Sequence, residues 1–152
     1  MKAVLDTSAF LNHSSVDFSQ FSKIYTTPSV ANEVKDKVSR IVLESLDVLV
    51  IEPKKESLEK VYKLVKDLGF LNLLSETDIE VIALALELGD VIVLTDDKSI
   101  ENILSILKIP FRTVVREPIK KVVKNPKFKC MNCGRINKTR YCSHCGSRCR
   151  ML

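Results

Sequence analysis

The chain has 152 residues, enough for one ordinary domain with its own core and a small appendage, and its 45% apolar content is that of a globular protein. The longest unbroken apolar run, residues 81–86, falls far short of the roughly 18 residues that cross a bilayer, and Asp6 closes the first apolar run before a secretory signal can develop. No membrane partner and no leader are therefore expected, and the location predicted is cytoplasmic.

The net charge of +5 conceals a division. Residues 1–118 hold 14 Lys+Arg and all 19 acids, whereas residues 119–152 hold 10 Lys+Arg, no acid and all five cysteines. A dense cationic segment attracts phosphates by releasing their counterions, which points to a nucleic-acid partner; a solvated tail that only aids solubility is the alternative.

In chain order, Val4-Leu5-Asp6-Thr7-Ser8 is an apolar run stopped early by an acid and two hydroxyls. It reads as a buried strand delivering Asp6 to its carboxyl end, where open α/β sheets place ligands, although any of the three polar residues is also suited to cap the next helix or turn. Residues 10–21 show little period and are expected to form a short helix and a loop. Residues 23–26 read as a strand, and Thr27-Pro28 as an N-cap with proline in the first turn. Apolar residues at three- and four-residue spacing from Val30 to Leu46 predict one helix over 28–46, with Glu33 at the edge of its buried stripe. Residues 48–51, apolar on both faces, predict a covered parallel strand, and Pro53 is expected to open a helix ending at Gly69. Ser75-Glu76-Thr77-Asp78 opens a helix apolar nearly all round, with Ser75 as N-cap and Asp78 three residues on, where a capping box would use it. Val91-Ile92-Val93-Leu94 is a second strand apolar on both faces, followed by Thr95-Asp96-Asp97, a helix over about 98–107, and a last strand over 111–115.

Alternating strands and helices predict an α/β fold, an open parallel sheet wrapped on both faces by right-handed crossovers. Asp6, Glu33, Asp78 and Asp96-Asp97 would then meet at one rim. Carboxylates gathered in this way repel one another unless a cation sits among them, so the pattern predicts a divalent-metal site. The plainer reading is that each acid is a cap or a solvated side chain.

Past Pro118, residues 119–127 carry the lysines and proline of an exposed linker. Two C-x-x-C pairs come next, Cys130/Cys133 and Cys142/Cys145. Two short knuckles of this kind complete a tetrahedron of thiolates around zinc, and a unit of about 25 residues with few large apolar side chains needs such an ion to fold. Disulfides do not suit a cytosolic chain, and a thioredoxin-like pair would occur once, beside a βαβ unit. Cys149 and His144 remain alternative ligands. Lys120, Lys121, Lys124, Lys127, Lys129, Arg135, Lys138, Arg140 and Arg148 offer phosphate contacts, and Tyr141 a ring on which a base can stack.

The motifs Val4-Leu5-Asp6-Thr7-Ser8, Ser75-x-x-Asp78 before Ile82-Ala83-Leu84-Ala85, and Thr95-Asp96-Asp97, with the Glu33 helix, resemble those of the PIN-domain nucleases over residues 1–118. A PIN domain followed by a basic linker (119–127) and a four-cysteine zinc ribbon (128–152) resembles more narrowly the NIN-one-binding-protein family. That resemblance implies a PIN-like sheet and an endoribonuclease that cuts single-stranded precursor rRNA at the 3′ end of small-subunit rRNA, within the pre-ribosomal small subunit. It also implies Mg²⁺ or Mn²⁺ held by Asp6, Glu33, Asp78 and a fourth acid. In the T-x-D form of the motif that acid is Asp97, but Asp96 beside it keeps the choice open. Hard cations prefer carboxylate oxygens and activate water, and no histidine is placed to act as base, with Ser8 and Thr95 as helpers. Structural zinc is the second metal, and no organic cofactor is expected. A non-catalytic zinc-ribbon adaptor and a toxin-like PIN ribonuclease are the competing functions.

Overall fold

The computed structural model describes residues 1–152. Five parallel strands form the main sheet: β1 (Lys2–Leu5), β2 (Lys23–Thr26), β3 (Leu49–Val50), β4 (Val91–Leu94) and β5 (Phe111–Arg112), in the order β3-β2-β1-β4-β5. The chain winds outward from β1 on one side and returns to β4 on the other. The strand order therefore reverses between β1 and β4, and a crevice opens there beyond their carboxyl ends. Asp6 follows β1 directly, and Thr95-Asp96-Asp97 follows β4 directly.

Helices α1 (Thr7–Leu11), α2 (Pro28–Glu33), α3 (Lys37–Ser45), α4 (Lys55–Asp67), α5 (Glu76–Leu88) and α6 (Lys98–Leu107) cover the sheet. As its uniformly apolar sequence predicts, α5 is central: Ile79 and residues 81–85 are all buried in the core. Its capping box is complete, with Ser75 Oγ accepting from the Asp78 N–H and Asp78 Oδ2 accepting from the Ser75 N–H. Gly89 ends α5, and at the end of α6 Lys108 takes a left-handed conformation at φ +57°.

Three expectations are corrected. The helix read over 28–46 is two helices, because Val34 turns to an extended conformation and Asp36 starts afresh by accepting from the Ser39 N–H. Arg40 seals the break by donating to the carbonyls of Ala31 and Val34. Consequently Val38 and Ile41, assigned to a buried stripe, are 57% and 54% exposed. The strand read as covered over 48–51 is a two-residue edge strand, paired with β2 alone and exposed at Leu49 and Val50. Finally, the strand read over 111–115 ends at Arg112, because the Asp96 carboxylate gathers the N–H groups of Val114, Val115 and Arg116 and bends the chain away. A smaller difference is that Pro53 precedes the N-cap Lys54 and lies outside α4.

Residues 119–127, read as an exposed linker, are mostly exposed and form a strap that is also hydrogen-bonded to the body. Ile119 N–H donates to Glu101, Asn102 pairs through its amide with both the N–H and the carbonyl of Val123, and Asn125 N–H donates to the Leu68 carbonyl. Beyond the strap lies a three-stranded antiparallel sheet, β7 (Ile136–Asn137), β6 (Phe128–Cys130) and β8 (Cys149–Met151), in that order. Its small core is Phe128 with three cysteines, against which Leu73 of the body packs. No helix is long and apolar enough to cross a membrane.

Candidate active site and cysteine cluster

At the carboxyl ends of β1 and β4 the backbone itself is tied together, with Asp6 N–H donating to the Leu94 carbonyl. Asp6 is only 6% exposed, and its side chain makes no capping bond to α1; it accepts instead from Thr95 Oγ1 at 2.8 Å. Burial, reinforced by the nearby charges of Asp78 and Asp97, pushes its carboxyl up from the ordinary 3.8 to about 6 despite that hydrogen bond. Asp78 is also raised, first by burial and then by the charges of Asp97 and Glu33. Asp6 thus feels the charges of Asp78 and Asp97, and Asp78 feels those of Asp97 and Glu33, so the four acids share the field of the crevice. Neither of the two ion pairs in the structure, Lys55–Glu59 and Arg116–Glu101, involves any of them.

The capping readings and the rim are compatible. Asp78 uses Oδ2 on its capping box, and Asp97 uses Oδ1 to accept from the N–H groups of Ser99 and Ile100 at the start of α6. In both, the second carboxylate oxygen has no donor in the fold. Glu33, at the end of α2, receives Thr7 Oγ1 on one oxygen at 2.9 Å and Thr77 Oγ1 on the other at 2.8 Å. Asp96 is engaged elsewhere, with both carboxylate oxygens occupied by the 114–116 backbone and its own N–H donating to Ser8 Oγ. The structure therefore brings Asp97, and not Asp96, into the group. Thr95 links the two halves, accepting from the Asp97 N–H while donating to Asp6.

Two hydroxyls were missed as site residues by sequence reasoning. Thr77 sits inside a capping motif that already accounts for its neighbours, and Thr7 looks like part of a helix start. Only the 26- and 44-residue gaps to Glu33, closed by the fold, reveal their role. The donor set is all hard oxygen, self-repelling and without a basic partner, which fits Mg²⁺ or Mn²⁺ and does not suit a soft metal.

The cysteines form a different kind of site. The Sγ atoms of Cys130, Cys133, Cys142 and Cys145 all lie within 4.8 Å of one another. The closest pairs, Cys130–Cys145 at 3.5 Å and Cys133–Cys142 at 3.6 Å, are far too long for disulfides of ~2.05 Å. They match the edge of a thiolate tetrahedron, ~3.8 Å when each sulfur is ~2.3 Å from zinc. Ser147, through its side chain and its N–H, holds the Cys145 thiol down to about 5, whereas Cys133, although the Arg135 N–H acts to lower it, is pushed up to about 11 by burial and by its three neighbouring thiols, as expected of thiols crowded together. Gly134 and Gly146 both stand at φ +74°, the left-handed turn each knuckle requires after its second cysteine. Cys149 is outside the cluster, buried in β8 opposite Cys130, with Asn137 donating to its sulfur; His144 is exposed and likewise outside.

Of the basic residues singled out, Lys120, Lys121 and Lys124 project from the strap, while Lys127, Lys129, Arg135, Lys138, Arg140, Tyr141 and Arg148 are exposed on or beside the cysteine unit. Arg140 and Arg148 share a hollow with Asn132 and Arg150.

A profile of the PIN domain of ribonuclease matches residues 3–88, which span β1 to the end of α5. The chain is 41% identical to Endoribonuclease Nob1 of Pyrococcus abyssi across its whole length and 94% of that protein. It is 37% identical to Endoribonuclease Nob1 of Methanothermobacter thermautotrophicus, over 97% of this chain and 91% of the relative, and 32% identical to Endoribonuclease Nob1 of Archaeoglobus fulgidus, over 95% and 86%. The similarity runs through both the acidic crevice and the cysteine cluster, and the chain belongs to the Nob1 family of PIN-domain endoribonucleases.

Proposed function

We propose that this protein is a divalent-metal-dependent endoribonuclease that hydrolyses single-stranded precursor rRNA at the 3′ end of small-subunit rRNA. The observation that carries the reading is Asp6: a buried carboxylate, raised to about 6, surrounded by Glu33, Asp78 and Asp97 with no basic side chain to balance them. A fold that keeps such a group without a counter-charge has a use for a cation there.

Asp6, Glu33, Asp78 and Asp97 would hold Mg²⁺ or Mn²⁺. When bound, the ion supplies a lowered water pKa and charge stabilisation at the phosphate. The remaining work belongs to the chain's own residues. Thr95 fixes one oxygen of Asp6, and Thr7 and Thr77 fix Glu33, so that these carboxylates are arranged before the substrate arrives. The caps of α5 and α6 hold Asp78 and Asp97 by one oxygen each. Asp96 is assigned to holding the 114–116 segment rather than to the reaction. The cysteine unit is read as a zinc ribbon that, with the basic strap, contacts the RNA backbone and places it without chemistry of its own.

The test uses single-stranded RNA spanning a small-subunit 3′ end, with Mn²⁺. Wild-type protein should cut it internally and Asp6→Asn should not. Equal cleavage by both, or none by wild type with the metal saturating, would reject the assignment.

A further inference from the structure

Between the first turns of α6 and the strap lies a cleft of about 440 Å³. Lys98, Asn102, Lys120 and Lys121 line it, and Phe70 and Met151 supply apolar walls. Lys98 is the residue directly after Asp97, so the lining of the cleft includes the next residue in the chain after one of the acids. Met151 belongs to β8, so its far side is the cysteine unit.

The cleft is built into the fold. Glu101, completely buried in α6, is satisfied by Arg116 and by the Ile119 N–H, and its neighbour Asn102 holds Val123 by two hydrogen bonds. Lys120 and Lys121 therefore sit on an arc fixed at both ends. Arg116 also lines the cleft, but its guanidinium is engaged by Glu101, and Glu117 is the one carboxylate on the lining. The N–H groups of Ser99 and Ile100 are taken by Asp97, so the pull on an anion comes from the three lysines and not from the helix end.

We propose that this cleft holds the backbone of the single-stranded RNA next to the cleavage centre, carrying the strand from the acidic rim to the ribbon. The proposal rests on the ribonuclease reading and adds to it a defined path, with Lys98 as a phosphate contact and Asn102 as the residue that positions the strap. A volume of this size takes about one nucleotide-sized group. Three ammonium groups beside it neutralise phosphates through counterion release, with a salt slope of about 0.7 per contact for single strands.

Binding of the same RNA by the full-length, zinc-loaded chain, measured against salt concentration, tests this. Replacing Lys98, Lys120 and Lys121 together by Ala should weaken binding at least about tenfold at ~0.1 M salt and reduce the slope by about 2. Replacing Lys54, Lys55 and Lys60, at and after the start of α4, by Ala removes the same charge away from the cleft and should leave affinity near wild type. Asn102→Ala keeps every cation but releases the strap; it should weaken binding severalfold at unchanged slope, with thermal unfolding used to verify the fold. Triple-variant binding equal to wild type, an equal loss in the α4 control, or wild-type affinity in Asn102→Ala would overturn the cleft. If wild type cuts the RNA in those cases, the nuclease reading survives alone; if wild type neither binds nor cuts it, both fall.

Discussion

The body and the cysteine unit of this protein are held together by different forces. The body buries 26 apolar residues in one core around β1, β4 and α5, whereas the cysteine unit buries one phenylalanine and three cysteines. The body is acidic and gathers carboxylates with no counter-charge; the cysteine unit and strap are basic and without a single acid. One region is stable by hydrophobic burial and tolerates an electrostatically costly crevice, and the other has so small a core that a metal is expected to supply its folding energy. On the proposed reading the two sites also differ in what a cation would do: in the crevice it would relieve repulsion within a fold already made, and among the thiolates it would make the fold.

Zinc removal should expose this contrast most strongly. Structural zinc contributes on the order of 10 kcal/mol, so a chelator, or Cys142→Ala, should unfold residues 128–152 while the body remains folded. Two-dimensional NMR should then show collapsed amide dispersion for the cysteine unit alone, and elemental analysis one zinc per untreated chain. Simultaneous loss of the body would break the comparison.

Next in size is Asp6→Asn. Cleavage should fall by more than the roughly 10–100-fold that loss of an outer partner of a metal ligand causes. Stability should move the other way. The folded chain keeps the Asp6 proton up to about pH 6 and the unfolded chain releases it near 3.8, so Asp6 destabilises the metal-free fold progressively across that window. The penalty reaches at most about 3 kcal/mol above pH 6 and vanishes at lower pH, where both states are protonated. Asn should therefore raise the melting temperature of metal-free protein at pH 7 and leave it unchanged near pH 3. Added Mn²⁺ should stabilise wild type and not the variant.

A smaller effect is expected from Thr77→Val, which removes one of the two hydroxyls on Glu33. Mn²⁺ affinity read by titration calorimetry should weaken about tenfold with little change in melting temperature. Smallest is Ser75→Ala, which removes the α5 N-cap and should cost the body about 1 kcal/mol in denaturant unfolding while zinc content stays the same.

Much of the chain was legible in the sequence because its signals are local. An apolar run closed by Asp6, the Ser75 cap, the Val91–Leu94 strand and the paired cysteines each depend on residues within a few positions. What was not legible depends on distant partners. The spacing of Val30, Val34, Val38 and Ile41 suits one helix, and only the Asp36 cap and the reach of Arg40 back to Ala31 and Val34 divide it. Residues 48–51 are apolar enough for a central strand, yet position in a sheet is set by which strands pair, and only β2 pairs with β3. Asp96 and Asp97 are adjacent after the same strand, and their separation follows from the distant 114–116 backbone that claims Asp96. The strap looked like a linker because Glu101 and Asn102, the side chains that hold it, lie about twenty residues upstream.

Helix α6 touches both halves of this contrast. Its start is fastened to Asp97, and Glu101 and Asn102, where the first turn passes into the second, face the strap about 7 Å farther along at ~1.5 Å per residue. On the proposed path, a stiff rod of that length would work as a gauge: it would set the offset between the point where a polymer is gripped and the point where the acids face it. The offset is built into the body, so lengthening the chain after Asn125 would move the cysteine unit without resetting the gauge.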